Sequence, residues 1–282
     1  MRILITGASG MLGADVRRAG EQAGHEVIAL SRAELDIRDF GAVREALARH
    51  APHVVINCAA FTDVDGAETD PSAHLVNGEA PGLLAAAAAE QGAWILHISS
   101  DYVFAGDKPT PYLESDATGP VSAYGTSKLK GERNVARAAP DAHTIVRSSW
   151  LFGAPGRCFP DTVLRLAAER DELSVVDDQV GCPTFTGHLA GALVDLVARA
   201  EPPVGVVHCA AAGQCTWFEF AEAVLDEAGV GIPVRPVSTA EFPRPARRPA
   251  YSVLRSARPE TPELPHWREG LSEYLHARLV AG

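Results

Sequence analysis

Three glycines placed directly after the first apolar run constrain this chain more than any other feature. Arg2–Thr6 (RILIT) is strand-like, and Gly7-Ala8-Ser9-Gly10-Met11-Leu12-Gly13 follows it and opens a helix-length amphipathic segment. Glycines at such a turn let the backbone turn tightly and approach a ligand closely. The helix that follows offers unpaired N–H groups and the positive end of its dipole. The spacing is GxxGxxG rather than GxGxxG, and a chain with 25 glycines can produce it as an ordinary strand–helix turn. Its position at the start of a βαβ rhythm instead predicts a pyrophosphate cradle for a dinucleotide, with Gly7, Gly10 and Gly13 at its centre.

The rhythm continues along the chain. Strand-like runs at 2–6, 25–30, 53–57, 94–99 and 143–148 alternate with helical patterns at 11–23, 39–50, 72–91 and 122–139. The runs are almost continuously apolar, as strands buried on both faces are. This predicts an α/β fold: a doubly wound parallel sheet of Rossmann type over residues 1–150. Residues 151–282 read mainly as a smaller substrate-binding region, with the helix 186–200 returning to the first domain. Further helices are predicted at 159–170, 216–228 and 266–280, and strands at 173–176, 204–209 and 234–237. Thr216 and Glu219 form a capping box, and 241–249 is a Pro-rich loop.

Length and charge narrow the partners. At 282 residues and 46% apolar content, the chain suits one large α/β unit or a nucleotide domain with a smaller appendage. A net charge of −11 repels nucleic acid and anionic membranes, so neither is an expected partner. An anionic substrate then needs a local cationic pocket. The five cysteines are odd in number, widely spaced and without a CxxC. They point to a reducing cytosol rather than a disulfide framework or a zinc site. No secretory leader and no membrane-length apolar stretch is expected, so the localisation expected is cytoplasmic.

Strand two ends in Leu30-Ser31-Arg32, with no carboxylate to hold a ribose 2′-OH. Arg32 suits a 2′-phosphate, held bidentately. NADPH is therefore the expected cofactor, with NADH tolerated. Asp36 is expected against the adenine edge.

Tyr124-Gly125-Thr126-Ser127-Lys128 places a phenol and an ammonium four apart on one helix face. With five tyrosines and three lysines in the chain, chance gives such a pair about one time in twenty. Following a dinucleotide turn, the pair reads as catalytic. The ammonium is expected to lower the phenol's pKa and to hold the nicotinamide ribose, so that the phenol protonates a carbonyl oxygen. Ser99 and Ser100 close strand four, where a hydroxyl can orient that carbonyl; the residues themselves leave the choice between them open.

Read together, these residues resemble the dTDP-4-dehydrorhamnose reductase family of extended short-chain dehydrogenases, over most of the chain. The narrower pieces are Asn57-Cys58-Ala59-Ala60-Phe61-Thr62-Asp63, Ser100-Asp101-Tyr102-Val103-Phe104, Arg147-Ser148-Ser149-Trp150 and Val176-Asp177-Asp178-Gln179 through Pro183-Thr184. The resemblance implies Ser100 as the catalytic hydroxyl, with Tyr124 as proton donor and Lys128 its partner. It implies Gly10, Met11 and Leu12 at the cofactor phosphates, and Asp36, Ile37, Cys58, Ala59 and Ala60 along the adenosine side. Ser100, Asp101 and Trp150 would meet the sugar nucleotide, the indole packing flat on a sugar or thymine ring. Arg248 is a candidate for the substrate diphosphate.

Two departures stand out. Some members dimerise through carboxylate-bound magnesium; Asp15 is a candidate ligand, but the stretch Phe185–Leu189 after Thr184 carries no acid, so that mode is not expected. The assembly expected is a monomer or a homodimer. Tyr251 stands where the family commonly has Asn. The implied activity is NAD(P)H-dependent reduction of dTDP-4-dehydro-L-rhamnose to dTDP-L-rhamnose. A 4-ketoreductase for another dTDP-4-keto-6-deoxyhexose, of an antibiotic-sugar or dihydrostreptose pathway, is the rival. A non-catalytic NADP-binding regulatory subunit of the methionine adenosyltransferase type is the remote alternative, and it predicts a degraded triad that this chain does not have.

Overall fold

The computed structural model describes residues 1–281, with side chains through Arg278. The order begins β1 (Arg2–Thr6), α1 (Met11–Gln22), β2 (Glu26–Leu30), α2 (Phe40–His50) and β3 (Val54–Asn57). It continues with α3 (Ser72–His74), α4 (Ala80–Glu90), β4 (Trp94–Ser100), α5 (Ala123–Ala138) and β5 (His143–Ser148). Next come β6 (Leu151–Phe152), α6 (Phe159–Glu169), β7 (Leu173–Val176), β8 (Val180–Gly181), β9 (Thr184–Phe185) and α7 (Thr186–Val197). The rest is β10 (Gly205–His208), β11 (Ala211–Ala212), β12 (Cys215–Thr216), α8 (Trp217–Glu227), β13 (Val234–Val237), β14 (Leu264–His266) and α9 (Trp267–Ala281).

Six strands form one parallel sheet in the order β10-β5-β4-β3-β1-β2. Strand alternation sorts the apolar residues. Ile3, Ile5 and Ile56 pack on one face with α1 and α7, while Leu4, Val55 and Ile95 pack on the other with residues of α2, α4 and α5. Both faces are therefore covered, which explains the unbroken apolar runs. The predicted strand at 204–209 is the sixth strand of this sheet, lying parallel beside β5. A further core joins α6, α8 and α9 around Phe152, Phe220 and Trp267.

Caps set the helix starts. Asp39 accepts from Ala42 N at the head of α2, and Ser122 accepts from Gly125 N at 3.1 Å at the head of α5. Thr216 and Glu219 make the expected capping box on α8. One predicted helix is broken. The segment 72–91 passes through a π-helical turn at Leu75–Glu79 before α4 begins. Pro81 has no N–H for the Asn77 carbonyl four residues back, and its ring crowds that carbonyl. The Asn77 side chain is fixed here too, accepting from Phe61 N at 2.8 Å and donating to Phe61 O at 2.9 Å.

The chain leaves β1 for β2 on one side and returns to β3 on the other. That reversal opens a crevice beyond the carboxyl ends of β1 and β3. Gly7 makes it passable: its φ is +68°, and a Cβ there would lie 2.7 Å from the Ala59 backbone.

Candidate active site

A cleft of about 1020 Å³ runs along the crevice. One end is lined by Gly7, Gly10, Met11, Leu12, Gly13, Arg32, Asp36, Ile37, Cys58, Ala59 and Ala60. The other end is lined by Ser100, Asp101, Tyr124, Lys128, Trp150 and Arg248. Ser31 is not part of this lining. Its amide and hydroxyl both donate to Glu34, at 2.8 and 2.7 Å, and cap a turn instead. Asp15 is buried, accepts from Thr186 Oγ1 at 2.5 Å and pairs with Arg18 at 2.9 Å. Its carboxylate therefore ties α1 to α7.

The cradle fits a pyrophosphate. Gly10 caps α1 with no side-chain hydrogen bond, and the first turn carries no acid, so its N–H groups face the cleft without an internal anion. Arg32 lines the cleft exposed, with no ion-pair partner among the described residues. Arg38, which sequence reasoning missed, also lines it. It grips Asp36 through Nε and Nη2, and these bonds hold the carboxyl down at about 2.

At the other end α5 delivers Tyr124 and Lys128 from its first two turns. Gly125 lets α5 close on the 3-10 turn Asp101–Val103; a Cβ there would meet Tyr102 O at 2.1 Å. Lys128 is 2% exposed and donates to Ile98 O at 2.6 Å. Burial pulls its pKa down to about 8, against the opposing charges of Glu132 and Cys58. The expected effect of this ammonium on Tyr124 is not what forms. Burial pushes the phenol up to about 12, with the Ser100 hydroxyl opposing it and the Asp101 charge adding to it. The ammonium is engaged with the Ile98 carbonyl instead.

Strand alternation separates the two serines. Ser99 donates to Glu132 Oε1 at 2.5 Å on the α5 side, and Ser100 donates to Asp101 Oδ1 at 2.9 Å beside the cleft. Glu132 in turn holds Arg147 through bonds of 2.9 and 2.7 Å, with both side chains 5% exposed. This buried pair braces β5 against α5. Its signal in the sequence is an acid four residues after Lys128.

Trp150 reaches the cleft, but not with an open face. Gly181 lies over one side: a Cβ there would be 2.4 Å from Cε2 and 2.7 Å from Cζ2 and Nε1, a pattern that places it above the ring rather than at its edge. Trp217 covers the other side, with centroids 3.6 Å apart and planes 6° apart. The indole thus offers its edge while Trp217 stays, which corrects the expected flat packing. Trp217 lines the cleft too; in the sequence it reads only as the start of a helix. Arg248 binds Asp65 through two bonds of 3.0 Å, and Arg244 shares the carboxylate. Burial works against Asp65, yet Arg248 and the Ala246 amide hold it down at about 2. Arg157 also lines the cleft, exposed and without an acid partner among the described residues. Tyr251 does not line the cleft, and its hydroxyl donates to Gln214 Oε1 at 3.0 Å.

A doubly wound sheet with a glycine cradle at its switch point, and Ser, Tyr and Lys gathered beside it, defines the short-chain dehydrogenase/reductase class. The comparisons agree with this. The family described as RmlD substrate binding domain matches residues 1–280. The chain is 46% identical to a dTDP-4-dehydrorhamnose reductase of Mycolicibacterium smegmatis, covering 99% of this chain and 86% of that protein. It is 45% identical to a probable dTDP-4,6-dihydroxy-2-methyloxan-3-one 4-ketoreductase of Streptomyces antibioticus, covering 100% and 97%. A crystal structure of dTDP-4-dehydrorhamnose reductase from Bacillus anthracis in complex with NADP superposes with a TM-score of 0.94 at 36% identity, covering 98% and 99% of the two chains. The chain belongs to the dTDP-4-dehydrorhamnose reductase family and is an NAD(P)H-dependent oxidoreductase of that type. No helix among the described residues is long and apolar enough to cross a membrane.

Proposed function

We propose that the protein reduces the 4-keto group of dTDP-4-dehydro-L-rhamnose to give dTDP-L-rhamnose, with NADPH preferred and NADH accepted. The observation that carries this reading is the convergence of Ser100, Tyr124 and Lys128 on one cleft with the glycine cradle. The relative from M. smegmatis supports the substrate, and the NADP complex of the B. anthracis structure supports the cofactor.

The α1 N-terminus, with Gly10, Met11 and Leu12, holds the cofactor phosphates; Arg32 takes the 2′-phosphate; Ile37, Cys58, Ala59 and Ala60 flank the adenosine. The chemistry that such a cofactor supplies when bound is hydride donation to the carbonyl carbon. Tyr124 gives its phenolic proton to the carbonyl oxygen. Its pKa of about 12 keeps that proton in place at neutral pH. Ser100 orients the carbonyl. Lys128, still largely protonated at pH 7 with a pKa near 8, stands by for the ribose hydroxyls. Arg157 and Arg248 supply positive charge for the substrate diphosphate, against a net charge of −11.

A second reading is reduction of another dTDP-4-keto-6-deoxyhexose. The nearly equal identity to the S. antibioticus protein supports it. The deciding experiment is NADPH oxidation with a panel of dTDP-4-keto-6-deoxyhexoses, each with and without a preceding 3,5-epimerase. Tyr124→Phe should keep dinucleotide binding and lower kcat by about a hundredfold or more. A near-native kcat in that variant would remove Tyr124 as the acid.

A further inference from the structure

A hydroxyl has one proton to donate, and at Ser100 that proton is committed. Ser100 Oγ donates to Asp101 Oδ1 at 2.9 Å and accepts from Tyr102 N at 3.2 Å. While Asp101 is an anion, Ser100 has no proton left for a substrate carbonyl, which is itself only an acceptor.

The surroundings of Asp101 disfavour the anion. The residue is 2% exposed, and its Oδ2 is buried with no donor in hydrogen-bond geometry among the described residues, the Ser252 hydroxyl being the facing group that could turn to it. A buried carboxylate oxygen without a donor is costly; the neutral acid loses less and gains an O–H to give. Tyr102 lies beside it on the same turn, Tyr124 faces it from α5, Cys182 from the β8–β9 connection, and Ser252 from the segment after Arg248. None of these is a cation. Arg248 faces Tyr102 and is bound to Asp65. Burial pushes the Asp101 carboxyl up to about 6, against the Ser252 and Ser100 hydroxyls and the backbone amides of Asp101 and Tyr102.

We propose that Asp101 works as a neutral carboxylic acid, donating its proton to Ser100 Oγ and so turning the Ser100 hydroxyl toward the reacting carbonyl. Asp101 is then a positioning residue acting through Ser100. Its proton is not consumed in turnover; only the direction of the Ser100–Asp101 hydrogen bond changes. At about 6 the carboxyl of the free protein is mostly ionised at pH 7; a bound substrate displaces water from the cleft and pushes the carboxyl higher still, so the neutral form is that of the substrate complex. The inference rests on the role given above to Ser100 and Tyr124.

The test uses kcat against pH for the wild type, Asp101→Asn and Asp101→Ala, with an infrared titration of the resting protein. Asparagine has the donor-and-acceptor shape of the neutral acid and does not titrate. The wild type should lose kcat on the alkaline side as Asp101 ionises. Asp101→Asn should lose that limb, retaining only the one set by Lys128, and keep a kcat well above that of Asp101→Ala, which should lose roughly tenfold or more, the worth of one buried hydrogen bond. The infrared spectrum should show a carboxylic C=O band titrating near pH 6 that Asp101→Asn removes. An Asn variant a hundredfold slower with an unchanged pH profile, or an Asp101 band that titrates at the ordinary carboxyl value of about 4, overturns the proposal. The infrared arm needs no turnover, so it stands even if the panel or Tyr124→Phe refutes the assigned reaction.

Discussion

Replacing Arg147 by Met tests whether the buried pair under the catalytic strand is held by charge or only by packing. Arg147 and Glu132 are each 5% exposed and joined by two bonds of 2.9 and 2.7 Å, with the guanidinium also 5.0 Å from the centre of the Phe104 ring. Methionine fills much of the volume but leaves the Glu132 carboxylate buried, with Ser99 as its remaining donor. Breaking such a pair from one side costs about 3–5 kcal/mol, roughly two to three and a half orders of magnitude in the folding equilibrium. That is a large part of the roughly 5–15 kcal/mol that a domain has in total. Removing both charges, as in Glu132→Leu with Arg147→Met, leaves no buried charge unpaired, only the Ser99 hydroxyl without its acceptor, and should recover most of the loss. Urea unfolding followed by tryptophan fluorescence gives the four corners of the cycle, and a coupling of at least ~2 kcal/mol is expected. An Arg147→Met variant destabilised by less than about 1 kcal/mol, or a double variant as unstable as the sum of the singles, refutes the reasoning.

Two shorter predictions follow from close approaches. Gly125→Ala would place a Cβ 2.1 Å from Tyr102 O, a backbone atom that cannot swing away. The head of α5 must then move off the Asp101–Val103 turn, at a cost of about 1–3 kcal/mol in thermal unfolding and a loss in kcat exceeding that in dinucleotide affinity. Trp217→Ala bares one face of Trp150, so quenching of tryptophan emission by acrylamide should rise in the free protein and fall when dTDP is added. Unchanged quenching would mean that the stack at 3.6 Å does not hold in solution.

What the sequence made legible follows from how local each signal is. The strands and the cradle were readable because a doubly buried parallel strand is apolar without interruption, and Gly7 must tolerate the Ala59 backbone at 2.7 Å. Tyr124 and Lys128 were readable because a spacing of four is a helix face. The break in 72–91 was signalled by Pro81, but its cause includes Asn77 bonding Phe61, a contact across sixteen residues that no periodicity carries. At the end of β2 a hydroxyl is placed where a ligand could meet it, but Glu34 three residues on takes both donors of Ser31.

The long-range pairings are where the sequence ran out, and they are also where the chemistry is tuned. The partner of Arg248 is Asp65, 183 residues away, and Trp150 is sandwiched by Gly181 and Trp217 from two later segments. The motif DY after strand four shows that an acid adjoins the Ser100 hydroxyl; only the fold shows that this acid is buried with one oxygen unpartnered. A family motif therefore locates Ser100, Tyr124 and Lys128, but not which of their protons are free to move. That depends on burial, which raises Tyr124 to about 12 and Asp101 to about 6 and lowers Lys128 to about 8 within one cleft. Shifts in those directions leave the phenol and the carboxyl better able to keep a proton than in water, and the ammonium less so, as suits the proposed delivery of one proton to a carbonyl oxygen.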